Sequence, residues 1–165
     1  MSTGDAGALV IGIGNPLRGD DGVAHRVLEL LDGGGVALLA VHQLLPEMAP
    51  EIAGLRSVTF VDADLTAAEA TLTRMDEARA ASPIFGHSFG PAGLVGLSRR
   101  LYGFAGAAFV CRVPVKTFEA GWLLSGRAQA GATRAALLIT SAFADARLRQ
   151  PGMATAAALK PARPG

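Results

Sequence analysis

Two adjacent carboxylates, Asp20 and Asp21, follow a glycine-containing break in the apolar run Ala8-Leu-Val-Ile-Gly-Ile-Gly14. A glycine loop after a first strand commonly cradles phosphate, because glycine lets backbone N–H groups approach an anion. That chemistry does not fit here. Leu17 stands where a third glycine is needed, no Gly-Lys-Ser/Thr follows, and two negative side chains repel phosphate. Carboxylates in this position suit a cation or a proton. The competing reading is structural: Asp20 caps the first helix and Asp21 complements its positive end, each worth about 0.5–2 kcal/mol.

Further polar residues follow other apolar runs. His42, Gln43 and Glu47 come after the second, Asp62 and Asp64 after the third, and His87 lies in Phe85-Gly-His-Ser88 before a long helical stretch. Asp21, Asp62 and His87 together offer oxygen, oxygen and nitrogen donors from three separate loops. Such a set can hold a divalent first-row metal with coordination positions left open. No single spacing is diagnostic, and each residue also has an ordinary role: Asp62 capping a turn, His87 satisfying a loop backbone.

Two nucleophile readings are weaker. Gly86-His-Ser-Phe-Gly90 matches the Gly-x-Ser-x-Gly elbow of α/β-hydrolases, which needs an acid and a histidine further along the chain. The histidines are His25, His42 and His87, so none follows Ser88. Cys111 lies inside the apolar run 107–113, where a small buried side chain is expected. Ser125 and Trp122 are better placed, after the last strand, to line a peptide groove.

Alternating runs supply the elements that carry these residues. Strands are expected at Ala8–Ile13, 36–41, 57–61 and 107–115, with a weaker edge strand at 71–75. Helices are expected at 21–31, 47–55, 88–101 and Gly126–Leu148. The order implies an α/β fold: a single domain, residues 1–149, with a mostly parallel twisted sheet of about five strands and helices on both faces. In such a sheet ligands collect beyond the C-terminal strand ends, where Asn15, Asp21, His42, Gln43, Glu47 and Asp62 fall. Residues 150–165, rich in Ala, Pro and Gly, are expected to form a disordered tail.

The chain has 165 residues, enough for one sizeable core. No apolar run approaches the ~20 residues of a membrane span, and the first residues lack a signal-peptide pattern, so no membrane insertion is expected. The single cysteine excludes an internal disulfide and fits a reducing cytoplasm. Residues 1–78 hold four arginines against twelve acids, and residues 79–165 eleven Lys/Arg against two acids. This polarity can orient a protein partner. The basic residues are scattered without interleaved aromatics, which argues against nucleic acid.

The run Gly12-Ile-Gly-Asn-Pro-Leu-Arg-Gly-Asp-Asp-Gly22 resembles the opening signature of the hydrogenase maturation proteases. Phe60-Val-Asp-Ala63, Gly86-His-Ser-Phe-Gly90, Val113-Pro114, Gly121 and Leu124-Ser125 are similar to that family's later motifs, over about residues 8–145. The resemblance implies an endopeptidase that removes the C-terminal extension of a nickel-loaded [NiFe]-hydrogenase large-subunit precursor. It assigns Asp21, Asp62 and His87 to catalysis and to contact with the metal. It also implies no permanent cofactor: nickel arrives with the substrate, and other divalent metals can occupy the site. By their place after the strands, and not by family motif, Asn15, His42, Gln43, Glu47 and Ser125 are the candidates for substrate contact. Two departures stand out. Many members have Glu where Asp21 stands, and an Asp-Gly-Gly where this chain has Val41-His-Gln-Leu-Leu-Pro-Glu47. The alternative is a non-catalytic module of the same fold that senses metal or binds a metalloprotein.

Overall fold

The Val-, Ile- and Leu-rich runs form five strands in the computed structural model, which describes residues 7–31, 35–76 and 89–148. The strands are β1 (Ala8–Ile13), β2 (Ala37–Val41), β3 (Ser57–Asp64), β4 (Thr71–Arg74) and β5 (Ala107–Pro114). They lie in the order β2-β1-β3-β5-β4. All pairs are parallel except β4 with β5, so β4 closes one edge as the antiparallel strand.

The helices are α1 (Val23–Leu31), α2 (Ala49–Ile52), α3 (Pro91–Tyr102) and α4 (Gly126–Leu148). Alternating side chains along each strand face opposite layers. Val10, Val61, Cys111 and Val113 pack with α1 and α4, while Ile11, Val58, Phe60 and Ala108 pack with α2 and α3. A sheet covered on both faces follows, as expected for parallel strands with near-continuous apolar runs. Ser98 on α3 ties the second layer together by donating to the Ala49 carbonyl at 2.7 Å.

Four boundaries differ from the sequence reading. The first helix does not begin at Asp21: residues Gly19–Gly22 form a 3₁₀ turn and α1 starts at Val23. The stretch 47–55 contains only a 3₁₀ turn, Pro46–Met48, and the single turn of α2. Pro46 and Pro50 each lack an N–H, which limits helical hydrogen bonding there. β3 runs three residues beyond 61, because β5 continues to pair with it through Asp64 opposite Pro114. The N-terminal part of the expected helix at 88–101 also shifts: Pro91 occupies the first helical turn after extended Gly90. The tail at 150–165 lies outside the described residues.

Candidate active site

The β1–α1 turn is held at both ends. Gly14 takes φ +145°, and a Cβ there would run into the carbonyl oxygen of Asp21, so glycine is required on both counts. Its N–H donates to the Val41 carbonyl at 3.0 Å, tying the turn to the end of β2. Its own carbonyl meets His25 Nε2 of α1 at 3.0 Å. Asn15 then folds the chain back, its Oδ1 accepting from the Leu17 amide at 2.9 Å and its carbonyl from the Arg18 amide at 3.0 Å. Asp21 Oδ2 accepts from the Asn15 amide at 3.0 Å, which fixes one of its oxygens.

Asp62 comes from the sheet itself. The last registered pair of β1 with β3 is Gly12 opposite Val61, so Asp62 stands where β1 no longer flanks β3. On its other side it is registered with Arg112 of β5. Burial pushes the Asp62 carboxyl above the usual range; the Ala63 amide opposes this, the negative charge of Asp21 adds to it, and Arg112 opposes it. Asp21 and Asp62 are thus within electrostatic reach of each other. The negative charge of Asp21 thus adds to burial in disfavouring the charged form of Asp62, and it would draw a cation to the same rim.

Asp20 points the other way. It is 1% exposed, and it does not cap α1. Its Oδ1 accepts from the Ser125 amide at 2.7 Å. Its Oδ2 accepts from the Ser125 hydroxyl at 2.6 Å and from the amides of Lys116 and Thr117 at 2.8 and 3.4 Å. Burial opposes the charged form, but the Ser125 hydroxyl and amide and the two further amides outweigh it and hold the carboxyl below its ordinary range. Gly19 continues this attachment by donating to Gly121 at 2.8 Å, and Gly121 donates in turn to Leu17 at 3.2 Å. The carboxylate therefore fastens the β5–α4 loop onto the turn that carries Asp21.

Ser125 is occupied by the same contacts. Its hydroxyl donates to Asp20 and accepts from the Ala128 amide at 3.2 Å, which makes it the N-cap of α4. Asp64 takes the turn-capping role that Asp62 lacks: its Oδ1 accepts from the Thr66 amide and hydroxyl, each at 2.7 Å, and from the Ala67 amide at 3.1 Å. Those Thr66 bonds, chiefly, lower its carboxyl, and Arg112 contributes from 3.4 Å. His42 and Gln43 follow β2 and are exposed, as is Glu47 in the 3₁₀ turn beyond. Cys111 is buried in the α1–α4 layer, and burial pushes its thiol up to about 12. Trp122 is exposed.

His87 and Ser88 lie outside the described residues; of the three candidate ligands Asp21 and Asp62 are described, and the charge of Asp21 acts on Asp62. Among the described residues no three His, Cys, Asp or Glu side chains cluster as a metal site. The hydrogen bonds of His25 to Gly14, and of Asp20 to Lys116 and Thr117, were not foreseen from sequence. Lys116 and Thr117 contribute only backbone amides, which leave no trace in residue type.

The sequence matches no protein-family model and no curated protein. Solved structures share its fold. The hydrogenase maturating endopeptidase HybD from E. coli superposes with a TM-score of 0.69 at 20% identity, over 84% of this chain and 93% of that one. The [NiFe] hydrogenase maturation protease HybD from Thermococcus kodakarensis gives 0.64 at 21% identity, over 82% and 97%. The [NiFe] hydrogenase maturation protease HycI from Thermococcus kodakarensis KOD1 gives 0.61 at 21% identity, over 84% and 93%. The α/β architecture of this chain is the one these proteases have.

Proposed function

We propose that this chain is an endopeptidase that removes the C-terminal extension of a nickel-loaded [NiFe]-hydrogenase large-subunit precursor, in the cytoplasm. The observation that carries the reading is the Asp21–Asp62 pair at the C-terminal rim of a sheet whose fold is that of named hydrogenase maturation proteases. His87 is the third member by the resemblance of Gly86-His-Ser-Phe-Gly90. The nickel belongs to the precursor, and these three side chains meet it there, so that cleavage depends on prior loading.

The proteolytic step needs a base and an acid at the same place. A water beside the pair gives a proton to one carboxylate as its oxygen adds to the scissile carbonyl. That proton then passes to the amide nitrogen as the C–N bond breaks, leaving a new carboxylic acid, which then ionises to solvent, and a free amine. A carboxyl raised above its ordinary range by burial and by a neighbouring charge is suited to both halves of this exchange. Asp62 answers that description. Asp21, oriented by the Asn15 amide, supplies the neighbouring charge.

Incubation with the nickel-loaded, unprocessed large subunit encoded in the same genome tests this directly. The expected result is a mass loss equal to a short C-terminal peptide. It should be absent with nickel-free precursor, and abolished by Asp62→Asn and His87→Ala. Chelator treatment of the protease beforehand should leave processing intact. Tight binding of the loaded precursor without cleavage would instead establish the non-catalytic module.

A further inference from the structure

The peptide group between Gly14 and Asn15 is hydrogen-bonded at both edges. Its carbonyl oxygen meets His25 Nε2 at 3.0 Å, and its N–H donates to Asp21 Oδ2 at 3.0 Å. A carbonyl oxygen only accepts, so Nε2 carries the imidazole proton. The peptide is planar and trans, which points its C=O and N–H in opposite directions. His25 and Asp21, four residues apart, therefore grip one rigid plate from opposite edges. The groups form a continuous chain, imidazole N–H to carbonyl and amide N–H to carboxylate. Bonds in such a series polarise one another in the same sense.

Something has to hold that plate. Gly14 has φ +145° and no Cβ, so ψ at Gly14 and φ at Asn15 can turn together and flip the peptide. A flipped plate would set its carbonyl against Asp21 Oδ2, oxygen against oxygen, and the carboxylate would lose its donor. The neighbouring bonds, from Gly14 N–H to the Val41 carbonyl and from Leu17 N–H to Asn15 Oδ1, fix the groups on either side and not the plate between them. His25 opposes the flip, because it would turn the amide N–H toward the imidazole N–H. The ring is half-buried on α1, where Ala24, Val27 and Leu28 lie in the core, so its mount is rigid.

We propose that His25 is a positioning residue for the cleavage reaction: it locks the Gly14–Asn15 peptide so that the Asn15 amide holds Asp21 in one orientation. This rests on the proteolytic reading above and adds a side chain that touches neither substrate nor nickel. His25 acts as a fixed donor and gives no proton to the reaction.

Asn15 is the chain's one asparagine, so α-¹⁵N-asparagine labelling gives a single backbone amide resonance from this plate. His25→Leu keeps apolar bulk on α1 and removes the donor. Its Asn15 amide should exchange with solvent about tenfold faster or more than in the wild type, and the amide proton should move upfield. Cleavage of nickel-loaded precursor should fall about tenfold or more in kcat/KM, because Asp21 is misplaced. His25→Gln carries an N–H donor at nearly the same reach as Nε2. It should restore the resonance, and cleavage to within about threefold of the wild type. A leucine variant as active as the glutamine one, with the Asn15 resonance unmoved, would mean that His25 only packs, and would overturn the proposal. Circular dichroism checks that both variants fold. Where His25→Leu does not, ¹⁵N NMR of the neutral wild-type ring decides: a proton on Nε2 upholds the lock, and a proton on Nδ1 alone overturns it. The resonance is read without substrate, so the lock stands or falls apart from proteolysis. Failure of the wild type to cleave would overturn the proteolytic reading instead.

Discussion

Asp20→Asn tests whether the buried member of the acidic pair is a fastener. Asparagine keeps the shape and one acceptor oxygen. In its better orientation that oxygen replaces Oδ2 and still faces the Lys116 and Thr117 amides and the Ser125 hydroxyl. Its NH2 then opposes the Ser125 amide, which is left without an acceptor. One orphaned buried donor costs about 1–3 kcal/mol, and loss of charge assistance in the remaining bonds adds roughly 1 kcal/mol. The expected destabilisation is about 2–4 kcal/mol, or a fall in Tm of roughly 5–15 °C for a domain of this size. Urea unfolding followed by circular dichroism measures it; Trp122 emission is a poor probe because the indole is already 83% exposed. The pH dependence adds a second check. Asp20 is lowered in the folded state, so its stabilisation is complete above the unfolded value of about 3.9 and is lost as pH falls through the native value. The gap between wild type and variant should narrow below about pH 4. A gap under about 1 kcal/mol at pH 7, or one that does not narrow in acid, would refute the reasoning.

The opposite sign holds for Asp62, whose raised carboxyl costs the folded state stability as pH climbs above the unfolded value. Asp62→Asn should therefore unfold at higher urea at pH 7, by about 0.5–1 kcal/mol, while losing cleavage; a less stable variant would contradict the account. Gly14→Ala forces a side chain into positive φ and against the Asp21 carbonyl, so it should cost at least about 2 kcal/mol by urea titration. Cys111, pushed up to about 12 by burial, should resist alkylation in the native protein at pH 8 and react once unfolded in urea. Rapid labelling of the folded chain would show that the thiol is not buried as described.

The sheet was legible because β1, the first half of β3 and the run 107–111 of β5 are largely apolar, and β2 and α4 announce themselves by composition and length. β3 was read three residues short because Asp62 and Asp64 break its apolar pattern, although the backbone pairing with β5 carries on regardless. Position predicted the rim location of Asp21 and Asp62, since both follow an apolar run. The division of labour between Asp20 and Asp21 was not legible. Local sequence allowed either to cap α1, and the partners of Asp20 lie 96 to 105 residues away, partly as bare amides. Ser125 signalled a helix start by residue type, but its second bond to Asp20 depends on tertiary contact alone.

The two carboxylates of the rim are mounted differently. Asp62 is fixed in a ladder, registered with Arg112 and followed by two more paired residues, so its backbone cannot advance or retreat without unzipping β3 from β5. Asp21 rides on a 3₁₀ turn outside any ladder, and its position is set by the fastening of the turn behind it. One carboxylate is thus placed by strand register and the other by the packing of a turn. A change at Asp20 or Gly14 would therefore displace Asp21 and leave Asp62 where the strand register holds it.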